Sequence, residues 1–292
     1  METTETAEQL INAYKQRVKD EWGSQQTAAA WQRHYSELKD QFAPITVTLV
    51  DAAALSPGLH VLDLASGTGE PSLSIAKRVA PGGSVTATDL NPSMLSALRA
   101  NAEVAGVSNV QTKPCDAHEL PFTDGTFDRV TSRFGVMFFV ETPRALAEAR
   151  RVLKPGGRLT FAVWGQPIPG SYFGSVALPF IKRLPAPPDP DAPGPMRFAE
   201  PGKLASIYRQ AGFQQVEESS HVLDTPFHGT PRQLYDEMID LAVPFQRVLA
   251  TLPEEVKSEA EGEVFANLQS LESGGAIRVT APVVIVSGTA PG

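Results

Sequence analysis

Between Leu59 and Trp164 short apolar runs alternate with helical patterns, and that rhythm restricts the fold more than any other feature of the chain. Apolar runs fall at 59–64, 84–88, 109–114, 127–132 and 158–164, and helical patterns at 71–80, 92–105 and 143–153. Such alternation predicts an α/β fold, a doubly wound and mostly parallel sheet with helices on both faces. The punctuation agrees. Asn91-Pro92 and Thr142-Pro143 each set a capping side chain before a proline suited to a first helical turn. Gly106 and Pro155-Gly156-Gly157 stop helices. A ligand site is expected beyond the carboxyl ends of the strands, where strand order reverses.

The rest of the chain divides around this core. Residues 1–56 read as an N-terminal helical flap of two or three short helices, with Trp31, Tyr35, Leu38 and Phe42 at helical spacing. The core occupies 57–164. Residues 165–198 form a lid insertion whose Pro185–Pro195 stretch is stiff and extended. The core continues over 199–228, with a helix at about 200–211 and a strand pattern at 213–226. A helical lid insertion fills 229–275, and 276–292 is a terminal core strand. The net charge of −8, with no Lys/Arg run, argues against a nucleic-acid partner. No segment carries the roughly 18 consecutive apolar residues that would span a bilayer. Met1-Glu2-Thr3-Thr4-Glu5 shows no export signal, so the expected location is cytoplasmic. The single cysteine, Cys115, and the lack of metal-ligand spacing predict no metal site.

The most informative turn is Val61–Glu70, an apolar strand running through Gly67-Thr68-Gly69 into a helix. Dinucleotides and S-adenosylmethionine both use a strand–glycine turn–helix. A dinucleotide asks for a third small residue, here Ser72, and for no negative charge at the helix N-terminus, where Glu70 stands. A cationic sulfonium with a free amino group meets no such conflict. Downstream, Asp89 ends the second strand, where a carboxylate can accept from both ribose hydroxyls. Leu90 and Met94 can wall a purine, and Asp116 follows the third strand, within reach of an adenine amino group.

Taken together, Val61–Gly69, Thr88–Met94, Cys115–Phe122, Phe127–Phe134 and Arg150–Leu159 resemble the class I S-adenosylmethionine-dependent methyltransferases. The similarity is closest to the small-molecule branch that includes the quinone-biosynthesis C-methyltransferases. It implies a Rossmann-like, seven-stranded sheet, and S-adenosyl-L-methionine as a cofactor that leaves as S-adenosyl-L-homocysteine. It also implies that Asp63 and the turn residues Ala65, Ser66, Gly67 and Gly69 surround the methionine portion. Asp89 would hold the ribose, Leu90 and Met94 the adenine face, and Asp116 with Ala117 the adenine edge. Arg133 and Phe134 would lie between cofactor and substrate. Apart from the resemblance, the helical spacing of the flap offers Trp31 as a residue packed over the cofactor site. Ala65 departs from the family's usual glycine, so an ordinary backbone conformation is expected there.

Methyl transfer is an in-line displacement at an activated carbon, so alignment and exclusion of water are the protein's main tasks. A base is needed only if the acceptor loses a proton. His228, at the end of the 213–226 strand, and His34 with Tyr35, in the flap, are the candidates. His60 is expected to be structural and His118 to sit on the surface. The flap and the two insertions should enclose the acceptor with Trp164, Tyr172, Phe173, Phe180, Met196, Phe198, Phe227, Tyr235, Met238 and Phe245. Such a pocket suits an apolar or aromatic small molecule. The other readings are a cofactor-dependent cyclisation or rearrangement without methyl transfer, a non-catalytic cofactor-binding protein and, more remotely, a dinucleotide oxidoreductase. A homodimer is compatible with all of them.

Overall fold

The computed structural model describes residues 7–186 and 188–292. The first five residues, read above for an export signal, and Pro187 of the proline-rich stretch lie outside the described residues. Five parallel strands form the heart of the molecule: β1 (His60–Leu64), β2 (Ser84–Asp89), β3 (Val110–Pro114), β4 (Phe127–Arg133) and β5 (Leu153–Trp164). β6 (Gln214–Asp224) lies at the far edge. A small hairpin of β7 (Glu272–Ser273) and β8 (Ala276–Ile277) stands apart, and β9 (Thr280–Thr289) inserts between β5 and β6, antiparallel to both. The order β3-β2-β1-β4-β5-β9-β6 is the expected seven-stranded, mostly parallel sheet.

Burial explains why these segments are strands. Val61, Leu62 and Leu64 are 0–1% exposed, as a strand covered on both faces requires. β6 has one neighbour, and its half-exposed pattern accounts for its imperfect alternation.

Among the described residues the flap comprises four helices rather than two or three: α1 (Ala7–Trp22), α2 (Gln25–Arg33), α3 (Tyr35–Gln41) and α4 (Ala43–Ala52). His34 and Phe42 break the run with ψ near zero, each ending one helix and opening the next. In the core, α5 (Ser72–Val79), α6 (Pro92–Val104) and α7 (Thr142–Val152) pack on the sheet. Asn91 caps α6 as expected, its side chain accepting from the Ser93 N–H at 2.9 Å. Thr142 does not cap α7, because its hydroxyl donates to the Phe139 carbonyl at 3.0 Å.

The first insertion carries two short helices, α8 (Tyr172–Val176) and α9 (Leu178–Ile181), ahead of the irregular proline-rich stretch. After α10 (Lys203–Gln210) and β6, the second insertion supplies α11 (Pro231–Leu241), α12 (Val243–Thr251) and α13 (Glu254–Ser270). The two insertions share a core of their own around Val176, Phe180, Leu234 and Met238. Among the described residues no helix is long and apolar enough to cross a membrane.

Candidate cofactor and acceptor site

A cavity of about 960 Å³ opens at the carboxyl ends of β1, β2, β4 and β5. Ala65, Asp89, Arg133 and Trp164, at or just past those four strand ends, all line it. The flap contributes Trp31, Tyr35, Leu38 and Phe42, the first insertion Tyr172 and Phe173, and the second Leu241 and Phe245.

The turn after β1 is bent by three residues with positive φ: Ala65 (+52°), Gly67 (+56°) and Gly69 (+144°). Ala65 therefore does not keep the ordinary conformation expected of an alanine. The neighbouring hydrogen bonds hold it there: the Ser66 N–H donates to the Thr88 carbonyl at 2.9 Å, and the Gly67 N–H to the Asp89 carboxylate at 3.0 Å. Gly69 sits beneath the turn. A Cβ there would stand 3.2 Å from Leu73 Cδ1 and 3.3 Å from the Tyr35 ring, a tight fit at a φ that side chains rarely adopt, so glycine suits both the turn and its contact with the flap.

Asp63 does not reach the cavity. It is 0% exposed, and its two oxygens accept from Ser72 Oγ at 2.5 Å and Thr131 Oγ1 at 2.7 Å, bracing the turn from behind. Burial pushes its carboxyl pKa up to about 6. Asp89 does face the cavity. One oxygen accepts from Gly67 and the other from the Asn91 N–H at 2.9 Å, leaving lone pairs on both for a diol. Leu90, Met94, Asp116 and Ala117 also line the cavity.

His118 is not a surface residue, since its side chain is only 12% exposed and lines the cavity. Its Nε2 accepts from the Glu141 N–H at 3.2 Å, so Nδ1 carries the proton that meets Asp116 Oδ1 at 2.5 Å. That hydrogen bond is the main reason Asp116 titrates below the usual carboxylate range.

Near the glycine turn three polar groups converge. The half-buried Arg133 donates to Thr46 Oγ1 at 2.7 Å and to the Glu70 carbonyl at 3.2 Å. Burial pushes the Tyr35 phenol up to about 12. Glu70 Oε2 is buried without a hydrogen-bond partner. A guanidinium, a phenol and an orphaned carboxylate oxygen fit a group that is itself zwitterionic, such as the amino-acid end of S-adenosylmethionine. The same orphaned oxygen would oppose a pyrophosphate.

The same cavity carries an aromatic wall. Phe134, at φ +64°, stacks on Trp164 with centroids 4.0 Å apart. Phe42 meets Phe134, Trp164 and Tyr172 edge-on, and Phe173 meets Trp164 edge-on. Of the ten residues expected around the acceptor, Trp164, Tyr172, Phe173, Met196 and Phe245 line the cavity. Phe180, Phe227, Tyr235 and Met238 belong to the core of the insertions, and Phe198 to the main core. Phe42 was the missed wall residue. Its helical spacing with Trp31, Tyr35 and Leu38 was the available signal.

Neither histidine proposed as a base is at the site. His34 faces the second insertion, with Nε2 3.0 Å from Asp240 and Nδ1 3.6 Å from Glu237. His228 is exposed, because β9 displaces β6 to the sheet edge, one strand beyond β5's neighbour position. Trp31 does line the cavity, its indole N–H buried and unpartnered.

This sheet order, with a glycine turn after β1 and an acidic residue closing β2, defines the Rossmann-like fold of S-adenosylmethionine-dependent methyltransferases. Residues 45–182 match the ubiE/COQ5 methyltransferase family. The "Ubiquinone/menaquinone biosynthesis C-methyltransferase UbiE" of Ralstonia pickettii is 38% identical over 175 residues, 56% of this chain and 71% of the relative. The protein of the same name from Bordetella parapertussis is 47% identical over 110 residues, 38% of this chain. The chain spans 42% of the length of that relative. Among solved structures, the [4+2]-cyclase SpnF matches 85% of this chain and 81% of its own, at 20% identity and a TM-score of 0.52, a likeness of fold. The chain belongs to the ubiE/COQ5 methyltransferase family. That membership bears out S-adenosylmethionine as the expected cofactor.

Proposed function

We propose that the chain moves the methyl group of S-adenosylmethionine to an apolar, aromatic small molecule and releases S-adenosylhomocysteine. The observation that carries this reading is that one cavity joins the glycine turn to the aromatic wall. In it, Asp89 holds the ribose hydroxyls, and Asp116 and Ala117 meet the adenine edge beside Leu90 and Met94. Glu70, Tyr35 and Arg133 take the amino-acid end. The bound cofactor supplies a methyl group already activated on sulfonium.

The remaining work belongs to the chain. Phe42, Phe134 and Trp164 orient a flat acceptor, and the flap and insertions keep water out. Among the described residues His118 is the one histidine lining the cavity, and both its nitrogens are engaged. The reading therefore rests on alignment, with an electron-rich ring carbon as nucleophile, in keeping with the C-methyltransferase names of the relatives. That carbon takes the methyl group as the carbon–sulfur bond breaks, S-adenosylhomocysteine leaves with the electron pair, and the ring hydrogen is then lost as a proton to solvent.

Labelled S-adenosylmethionine with a panel of phenols, quinols and amines tests it, alongside calorimetry with S-adenosylhomocysteine. Label in an acceptor supports the proposal. Cofactor binding with no transfer across the panel would favour the cyclisation or rearrangement reading, and no cofactor binding would overturn both.

A further inference from the structure

The rim of the cavity carries positive charge that transfer to a neutral ring does not require. Arg17 of α1 and Arg197, which follows the proline-rich stretch, both line it. Arg17 donates from Nη2 to the Pro193 carbonyl at 3.0 Å, and its Nε is buried with no hydrogen bond. Arg197 donates to the Phe139 carbonyl at 2.7 Å and the Val140 carbonyl at 3.5 Å. Neither guanidinium is ion-paired among the described residues. The contrast is local: Arg247, on the same rim, is matched by Glu21. Asp189 also lines the cavity and is the carboxylate that acts on both guanidiniums. Glu21, which also acts on Arg17, is paired with Arg247, and Asp191, which also acts on Arg197, is paired with Lys203 at 2.7 Å, so one carboxylate stands against two cations.

Carbonyl partners satisfy N–H groups without neutralising charge, and burial holds both guanidiniums below their ordinary pKa. Each is also braced by a ring, Arg17 at 4.7 Å from the Tyr14 centroid and Arg197 at 5.2 Å from that of Phe198. The cofactor's own carboxylate is accounted for elsewhere, at Arg133 and Tyr35, which are held by the glycine turn and the helices of the flap. Two half-buried guanidiniums that share one carboxylate leave a positive charge unmatched at this rim, and an anion brought in by the ligand would match it.

We propose that Arg17 and Arg197 form an anion clamp, and that the acceptor is an apolar molecule bearing a carboxylate, sulfonate or phosphate. The word acceptor rests on the methyl-transfer reading above, whereas the clamp binds its anion whether or not transfer follows.

The test is fluorescence titration of the full chain with 8-anilino-1-naphthalenesulfonate and with its uncharged relative N-phenyl-1-naphthylamine, each with and without S-adenosylhomocysteine. The sulfonate should bind at least about tenfold more tightly than the neutral probe, and R17Q/R197Q should remove that preference. The neutral probe and S-adenosylhomocysteine should bind the variant as before. Should the double variant lose all three ligands, R17Q, R197Q and the charge-retaining R197K are scored singly: the first two should lower sulfonate affinity, and R197K should recover part of it. Equal affinity of the unaltered chain for the two probes, or a sulfonate preference that survives the glutamine substitutions, overturns the clamp. Failure of S-adenosylhomocysteine to bind overturns the methyl-donor reading instead, and leaves the sulfonate preference to stand or fall alone.

Discussion

Ala65 keeps its methyl group in a left-handed turn because residue 135 is a glycine. A Cβ on Gly135 would lie 2.5 Å from the Ala65 Cβ and 2.6 Å from Ser132 Oγ. The turn that lines the cofactor side of the cavity and the segment after β4 are thus fitted to each other. Gly135→Ala should cost about 1–3 kcal/mol through overpacking and weaken S-adenosylhomocysteine binding. Adding Ala65→Gly removes the closer clash and suits the positive φ, so the double variant should recover part of both. Thermal unfolding and calorimetry read the effect, and a double variant no better than G135A would refute the coupling.

Asp89 ties two elements together, since its carboxylate accepts from Gly67 in the turn and from Asn91 at the start of α6. Asp89→Asn preserves shape but loses the charge and one acceptor. With charge-assisted hydrogen bonds at roughly 1.5–3 kcal/mol, affinity for S-adenosylhomocysteine should fall about 10- to 100-fold. Calorimetry measures this directly; an unchanged affinity would remove Asp89 from the cofactor site.

How far the sequence could be read depended on the range of the signal. The β1 turn, Asp89 and the strand–helix rhythm rest on neighbours within a few residues, and they were legible. His228 depended on β9, a strand some 50 residues later in the chain, lying between β5 and β6, and no local pattern announces that. His34 shares the helical spacing of the flap, yet it caps a helix end and turns to Asp240 of α11. Phe180, Tyr235 and Met238 look like pocket residues because an internal core and a ligand pocket draw on the same side chains. Ala65 was misread because its backbone is set by partners from β2 and not by its own preference.

Trp164 carries the aromatic wall, stacked on Phe134 with planes 6° apart and touched edge-on by Phe42 and Phe173. Trp164→Ala removes all of these contacts and should destabilise the fold by about 3–5 kcal/mol. Trp164→Phe retains part of the stack and should cost less than half as much. The functional prediction is separable: the Phe variant should bind S-adenosylhomocysteine normally but lose affinity for 1-naphthol. Equal loss of both ligands would mean that the wall does not separate acceptor from cofactor.

Glu237 gives the fold a pH dependence of definite sign. It lies on α11, 2% exposed, with Oε1 unpartnered and Oε2 3.6 Å from His34 Nδ1. Burial, and secondarily the Glu37 carboxylate, raise its pKa from 4.5 to about 7. Asp240, the other acid beside His34, is instead held below its usual value despite its own burial, by hydrogen bonds from Arg33 and His34. A carboxyl whose pKa is higher folded than unfolded favours the folded state fully below about pH 4.5, and that advantage drains away as pH rises to about 7. Wild-type stability should therefore fall across this window by about 3 kcal/mol attributable to Glu237. Glu237→Gln cannot ionise, so its stability curve should be flatter and should lie above wild type at pH 8. Urea unfolding at half-unit pH steps would show it. Parallel curves for the two proteins would mean that Glu237 ionises as readily folded as unfolded, and that the contact between flap and second insertion is insensitive to its charge.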